Sequence, residues 1–146
     1  MAFSYRHTQI GYLMIAVLSA GVVGLSASIA FGSGPKVLVG VIAILTLCLL
    51  LFPTLTAVVQ RDRLRCFFGI GMIRREIPVT EILAVSVVRN PWSYGWGLRL
   101  IPGGSLWNVS GFDAVELRLH DGKLFRIGTD EPDALRAAIA SAVRAG

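Results

Sequence analysis

Between Arg6 and Arg61 the chain carries one charged side chain, Lys36, with His7 counted neutral. A stretch of 54 residues with one charge leaves no way to build a polar outer surface from that third of the molecule. Charged residues are 16% of the whole, against roughly 25% in soluble globular chains. All nine acidic residues lie beyond position 60. This asymmetry excludes a purely soluble domain, a disordered chain and a disulfide-stapled mini-protein. It leaves a small membrane protein with one polar domain at its C-terminal end.

Lys36 divides the apolar region into charge-free stretches 7–35 and 37–60. A bilayer core about 30 Å thick needs roughly 20 apolar residues in a helix. The first span is expected over 10–31, followed by a turn at Gly32-Ser33-Gly34-Pro35, because Gly and Pro punctuate helices. The second is expected over 36–52 and stops before Pro53, since the following TLTAVV is β-type in composition. A cleaved signal would have a shorter apolar core, of about 7–15 residues, and no second run behind it. A retained hairpin is therefore expected, making up domain 1–53 with its N-terminal tail.

Arg6 before the first span and Arg61, Arg63 and Arg65 after the second outweigh Lys36 in the turn. The Lys/Arg excess stays cytoplasmic, so the expectation is an inner-membrane, multi-pass protein with both termini in the cytosol. Ala16, Ala20, Gly24 and Ser28 recur every four residues on the first helix. Small residues on one face allow close helix packing in lipid, either onto the second helix or onto a second copy of the chain.

Residues 54–146 form the second domain. Strand-like runs recur about every ten residues: 54–60, 64–68, 72–77, 82–89, 106–109, 114–119 and 123–127. Seven short strands at this spacing predict an antiparallel barrel or sandwich in an α+β fold. For the last hairpin, a three-residue His120-Asp121-Gly122 loop pairs Leu117 with Phe125 and Glu116 with Arg126. A two-residue loop would mix apolar and charged side chains on each face, so the buried face selects the longer one. A capping helix follows, with Asp130 as N-cap, Pro132 in its first turn, and Leu135, Ala138, Ile139, Ala142 and Val143 on one apolar stripe.

Residues suited to catalysis are missing. Cys48 and Cys66 have no nearby cysteine or histidine at zinc spacing. There is no phosphate loop ending in Gly-Lys-Ser/Thr and no Gly-x-Ser-x-Gly elbow. The carboxylates show no pairing that would raise one pKa against another. The expectation is a non-enzyme with no cofactor and no metal. Nucleic acid is excluded as partner because the domain has no recognition helix or basic stripe.

Two membrane helices, about seven strands and a closing helix, together with NPWSYGWGLR at 90–99, NVSGFDAVEL at 108–117 and FRIGTDEP at 125–132, resemble the bacterial membrane-anchored pleckstrin-homology-like proteins. The resemblance implies a compact barrel closed by a helix and used for binding or docking. Lipid-binding eukaryotic members cluster basic residues around the first hairpin turn. The corresponding turn here, Phe68-Gly69-Ile70-Gly71-Met72, has none and is followed only by Arg74-Arg75.

Two groups stand out as candidate membrane or partner contacts. The first is Trp92, Tyr94 and Trp96, which fit one buried face of a strand, an interfacial anchor, or a docking groove. The second is Arg61, Arg63, Arg65, Arg74 and Arg75. Residues 61–99 hold seven arginines against three acids, which suits anionic lipid headgroups. The functional expectation is a membrane-tethered binding or scaffold module whose partner is the bilayer. The alternative is an accessory subunit with a protein partner.

Overall fold

A computed structural model describes residues 5–32 and 34–146; Ser33 of the expected turn lies outside them. The fold is α+β, and the described residues form nine strands in two separate sheets and three helices. Strand β1 (Tyr5–Ile10) comes first, followed by helices α1 (Tyr12–Ala30) and α2 (Val37–Leu51). The first sheet is completed by β2 (Thr54–Val59), β3 (Arg63–Phe68) and β4 (Ile73–Pro78), in the order β1-β2-β3-β4. The second contains β5 (Ile82–Arg89), β6 (Gly97–Ile101), β7 (Gly104–Asn108), β8 (Asp113–Leu119) and β9 (Leu124–Gly128), in the order β5-β8-β9-β7-β6. Helix α3 (Pro132–Ala145) closes the chain.

Residues 5–9, expected as a tail, thus form a strand together with Ile10, expected as the start of the first span. They pair antiparallel with β2, from Tyr5 opposite Val59 to Ile10 opposite Thr54. The helical hairpin is inserted between two hydrogen-bonded neighbours, and Gly11 N–H donates to the Pro53 carbonyl at the joint (2.9 Å). The pattern escapes a hydropathy reading because YRHTQI is mostly polar. Its alternate residues Tyr5, His7 and Gln9 are the less exposed ones, and Gln9 donates to the Ser110 carbonyl at 3.1 Å.

The strand also shortens the first helix. Helix α1 begins at Tyr12 rather than residue 10, spans 19 residues, and is long and apolar enough to cross a membrane. Helix α2 has 15 residues rather than the expected 17, about 22 Å at 1.5 Å per residue, and falls below the span length that α1 meets. The two helices pack on each other, and no residue of either is fully buried.

The barrel expectation is corrected. The sheets do not close, because Pro78 ends β4 and a 3-10 turn at Val79–Glu81 carries the chain to the other sheet. Proline has no N–H with which to extend the ladder. Two strands were missing from the seven, β1 and β6. The β8–β9 register is as predicted: Leu117 faces Phe125 and Glu116 faces Arg126. Gly122 takes φ +85° in the three-residue loop, a conformation that glycine adopts freely.

The core lies between the sheets. Phe52, just past α2, packs edge-on against Phe68, with centroids 5.4 Å apart. Phe68 contacts Trp107 at 5.1 Å, and Trp107 meets Phe125 edge-on at 5.6 Å. This aromatic series connects the base of the hairpin to the centre of the domain. Helix α3 covers it with Leu135, Ile139 and Ala142 buried and Ala138 and Val143 beside them. Its N-cap is Glu131 rather than Asp130, with no side-chain cap bond. The Asp130 carboxylate instead faces His7 Nε2 at 2.5 Å.

The parallel pair β7–β9 sets an unusual demand at Gly104, where a Cβ would collide with the Leu124 backbone. Gly104→Ala should therefore lower stability by about 1–3 kcal/mol, read as the thermal unfolding midpoint of the full chain in detergent. Gly24→Ala is the control, because its Cβ would meet nothing within 4 Å. Equal midpoints for the two variants would contradict the β7–β9 packing.

Candidate membrane-facing surface

The direction of the strands decides which residues lie near the helices. Strand β2 leaves the hairpin at Thr54 and runs outward, so Arg61 stands about 20 Å from the joint at 3.3 Å per residue. Strand β3 returns, and Gly69 N–H donates to the Thr54 carbonyl (2.9 Å). A Cβ on Gly69 would sit 2.6 Å from the Leu50 carbonyl oxygen, so the β3–β4 turn abuts the end of α2. A helix-proximal rim results. It comprises the joint, the 69–72 turn, the Ser110-Gly111 loop that receives Gln9, and the 90–98 segment tied to that loop.

The five candidate arginines do not form one surface. Arg61 lies in the distal β2–β3 turn. Arg63 pairs with Asp62 (2.8 Å) and Glu76 (3.3 Å), and Arg65 with Glu76 (2.8 Å). Hydrogen bonding to Arg63 holds the Asp62 carboxyl below its usual range and raises the Arg63 guanidinium in turn. Arg75 lies over the Phe125 ring (4.4 Å) and donates to Ser105 Oγ (3.2 Å). Only Arg74 is both exposed and one residue from the helix-proximal end of β4.

The aromatic loop divides. Trp92 begins a 3-10 turn (Trp92–Tyr94) and is 82% exposed. Tyr94 is half-buried beneath the Arg126 guanidinium, 5.8 Å from its ring centroid. Arg126 pairs with Glu116 (2.6 Å) and donates to Asn90 Oδ1 (2.9 Å), anchoring the loop on the second sheet. Trp96 is half-buried and donates its indole N–H to the Gly111 carbonyl (3.2 Å). The three aromatics therefore do not line one buried strand face.

Sequence reasoning missed the apolar part of the rim. Ile70 and Met72, at the turn against α2, are 68% and 74% exposed. Leu98 on β6 lines a groove of about 340 Å³ with Trp96, Arg99, the helix residues Met14, Leu18 and Cys48, and Phe52 just past α2. Exposed apolar side chains grouped on one face mark an interaction surface. The available signal was Ile70-Gly71-Met72 itself, two large apolar residues flanking a turn glycine.

The small-residue face of α1 also takes a definite place. Ala16, Ala20 and Gly24 are exposed and Ser28 is half-buried. It is Gly21 that faces α2: a Cβ added there would come within 3.2 Å of the Leu45 side chain.

Among the described residues, no group of three or more His, Cys, Asp or Glu side chains could hold a metal ion. Burial pushes the Cys66 thiol up to about 12, with Arg75 opposing weakly. No protein-family model matches the chain, and no curated protein matches it.

Two predictions follow from these placements. Trp92→Ala should change stability by less than about 0.5 kcal/mol. Trp96→Ala should cost about 1–2 kcal/mol in lost burial and hydrogen bonding, and thermal unfolding ranks the two. A larger loss at Trp92 would contradict the assignment. Cys66 should resist maleimide at pH 8 while the fold is intact, since only the thiolate reacts. Its raised pKa stabilises the fold fully below the unfolded-state value, 9.0. That contribution fades as pH rises from there through about 12. Cys66→Ala should flatten that alkaline loss, seen as unfolding midpoints between pH 8 and 11.

Proposed function

We propose that the chain is a membrane-tethered, non-catalytic binding or scaffold module, holding a pleckstrin-homology-like domain against the cytoplasmic face of the inner membrane. The single observation that carries this reading is the β1–β2 pairing across the hairpin. Both ends of the hairpin enter one sheet, so the chain must return to the side from which it left. A pair of crossings meets that condition. Helix α2 is short, but Lys36 at its start can extend its long side chain to the interface. The arginine excess on the domain side favours a cytosolic domain.

The rim supports the same reading. Trp92, Ile70 and Met72 would enter the interfacial layer while Arg74 meets the headgroups. The joint consists of Gly11 on one side and Phe52-Pro53 on the other, too little chain to let the domain leave the surface. A second reading, as an accessory subunit of a membrane complex or as a homodimer, is favoured by the uncovered face of Ala16, Ala20 and Gly24. One stoichiometric partner after gentle solubilisation would select it.

The topology is tested with the full chain. A reporter active only in the cytosol, fused after Gly146, should be active, and a cysteine placed at Gly34 should react with impermeant reagent from the opposite side. An inactive reporter would overturn the orientation and the cytosolic domain, and a residue 34 that reacts from the same side as the C-terminus would overturn the two-crossing arrangement.

A further inference from the structure

We propose that the groove between the helix pair and β6 is a binding site for one anionic phospholipid, with its phosphate on Arg99 and one acyl chain along Met14, Leu18, Cys48 and Phe52. The inference rests on the membrane reading above and goes beyond it. It specifies a lipid bound in a particular place rather than general adhesion to a leaflet.

The position of the groove fits the depth of a lipid. Its domain-side wall is Trp96, Gly97, Leu98 and Arg99, and its other wall is formed by the helices. Met14 and Leu18 lie two and six residues into α1, about 3 and 9 Å along the axis at 1.5 Å per residue. Helix α2 runs antiparallel to it and brings Cys48 and Phe52 to the same level. A headgroup at the domain edge and the first methylenes of a chain occupy this range. A volume of about 340 Å³ lies within the range of small-molecule sites, roughly 300–1,000 Å³.

Charge selects the headgroup. Arg99 is the one charged residue among the lining residues, and no acid is among them. Its Nε donates to the Trp96 carbonyl (3.0 Å), which fixes the side chain and leaves the terminal nitrogens for another acceptor. No carboxylate among the described residues forms an ion pair with it. A Cβ added at Gly95 (φ +64°) would lie in ordinary contact with Arg99 Nη2, at 3.5 Å, so the guanidinium is beside this loop residue. Held to the Trp96 carbonyl and next to Gly95, the guanidinium lies over the loop at the edge of the groove. Its planar fork of donors suits a phosphate. An apolar channel continuous with the lipid-facing helices, and topped by an uncompensated guanidinium, matches a molecule with an anionic head and an apolar tail.

The test uses the full chain in nanodiscs of phosphatidylcholine and phosphatidylglycerol at three to one, with bound lipid read by native mass spectrometry after release. Wild type should retain one phosphatidylglycerol, enriched about fivefold over the bulk ratio, as expected for one cation near a leaflet. Arg99→Gln should fall to the bulk ratio and Arg99→Lys should keep most of the enrichment. Arg74→Gln, which removes a headgroup contact on the rim outside the groove, should lose less of the enrichment than Arg99→Gln. Leu18→Trp, which fills the channel but leaves Arg99 in place, should lose it. In a Trp92→Phe background, chain-brominated phosphatidylglycerol should quench tryptophan emission more than brominated phosphatidylcholine. Enrichment that survives Arg99→Gln, or falls equally with Arg74→Gln, would overturn the site and leave only leaflet electrostatics. A chain that fails to co-float with liposomes would overturn the membrane reading together with the site. A chain that co-floats and retains both lipids at the bulk ratio would overturn the site alone.

Discussion

Six residue pairs, from Tyr5–Val59 to Ile10–Thr54, join strands that lie on opposite flanks of an apolar helical hairpin. The rest of the molecule depends on that pairing. It fixes where both helices leave the domain and forces the chain out and back on one side. It also places the open end of the first sheet at the helix base. Because 43 residues separate Ile10 from Thr54, the pairing is long-range, but closure entropy grows only slowly with length. Helices packed on each other narrow the search further, since they return the chain close to its starting point.

Rigidity at this joint comes from packing as well as from hydrogen bonds. Phe52 lies one residue beyond α2 and touches Phe68, which leads through Trp107 to Phe125. Aromatic pairs in these offset and edge-on geometries contribute about 0.5–1.5 kcal/mol beyond their burial. The hairpin is thus connected to the centre of the core. Movement of the helix ends has to repack that series, so the sheets and the helical hairpin are coupled where they meet.

The surface near the helices differs from the one that linear proximity suggests. Arg61, Arg63 and Arg65 follow the second helix closely in sequence, yet β2 carries the chain away before they occur. Two of them are then neutralised by Asp62 and Glu76. The residues brought back to the helix base are largely apolar: Ile70 and Met72 by the return of β3, and Leu98 by β6. Arg74 and Arg99 supply positive charge there. Distance from the helices is therefore set by strand direction and not by residue count.

Several features were legible in the sequence because they obey local rules. The charge gap marked the helices, and alternation fixed the β8–β9 register once Leu117 and Phe125 had to share a buried face. Gly122 marked the hairpin loop, and the apolar stripe placed α3. What tertiary structure alone decided is long-range. A polar hexapeptide, YRHTQI, becomes a strand only because β2 offers it an edge. Gly104 is required only because Leu124 passes against it in a parallel pair. The two sheets stay separate because Pro78 ends β4 and the chain turns to a second sheet, and Asp130 faces His7 rather than capping its own helix. Periodicity and composition report which face of a segment is apolar and where it must stop. They carry no information about which distant segment will lie beside it, because that is settled by the packing of the whole chain.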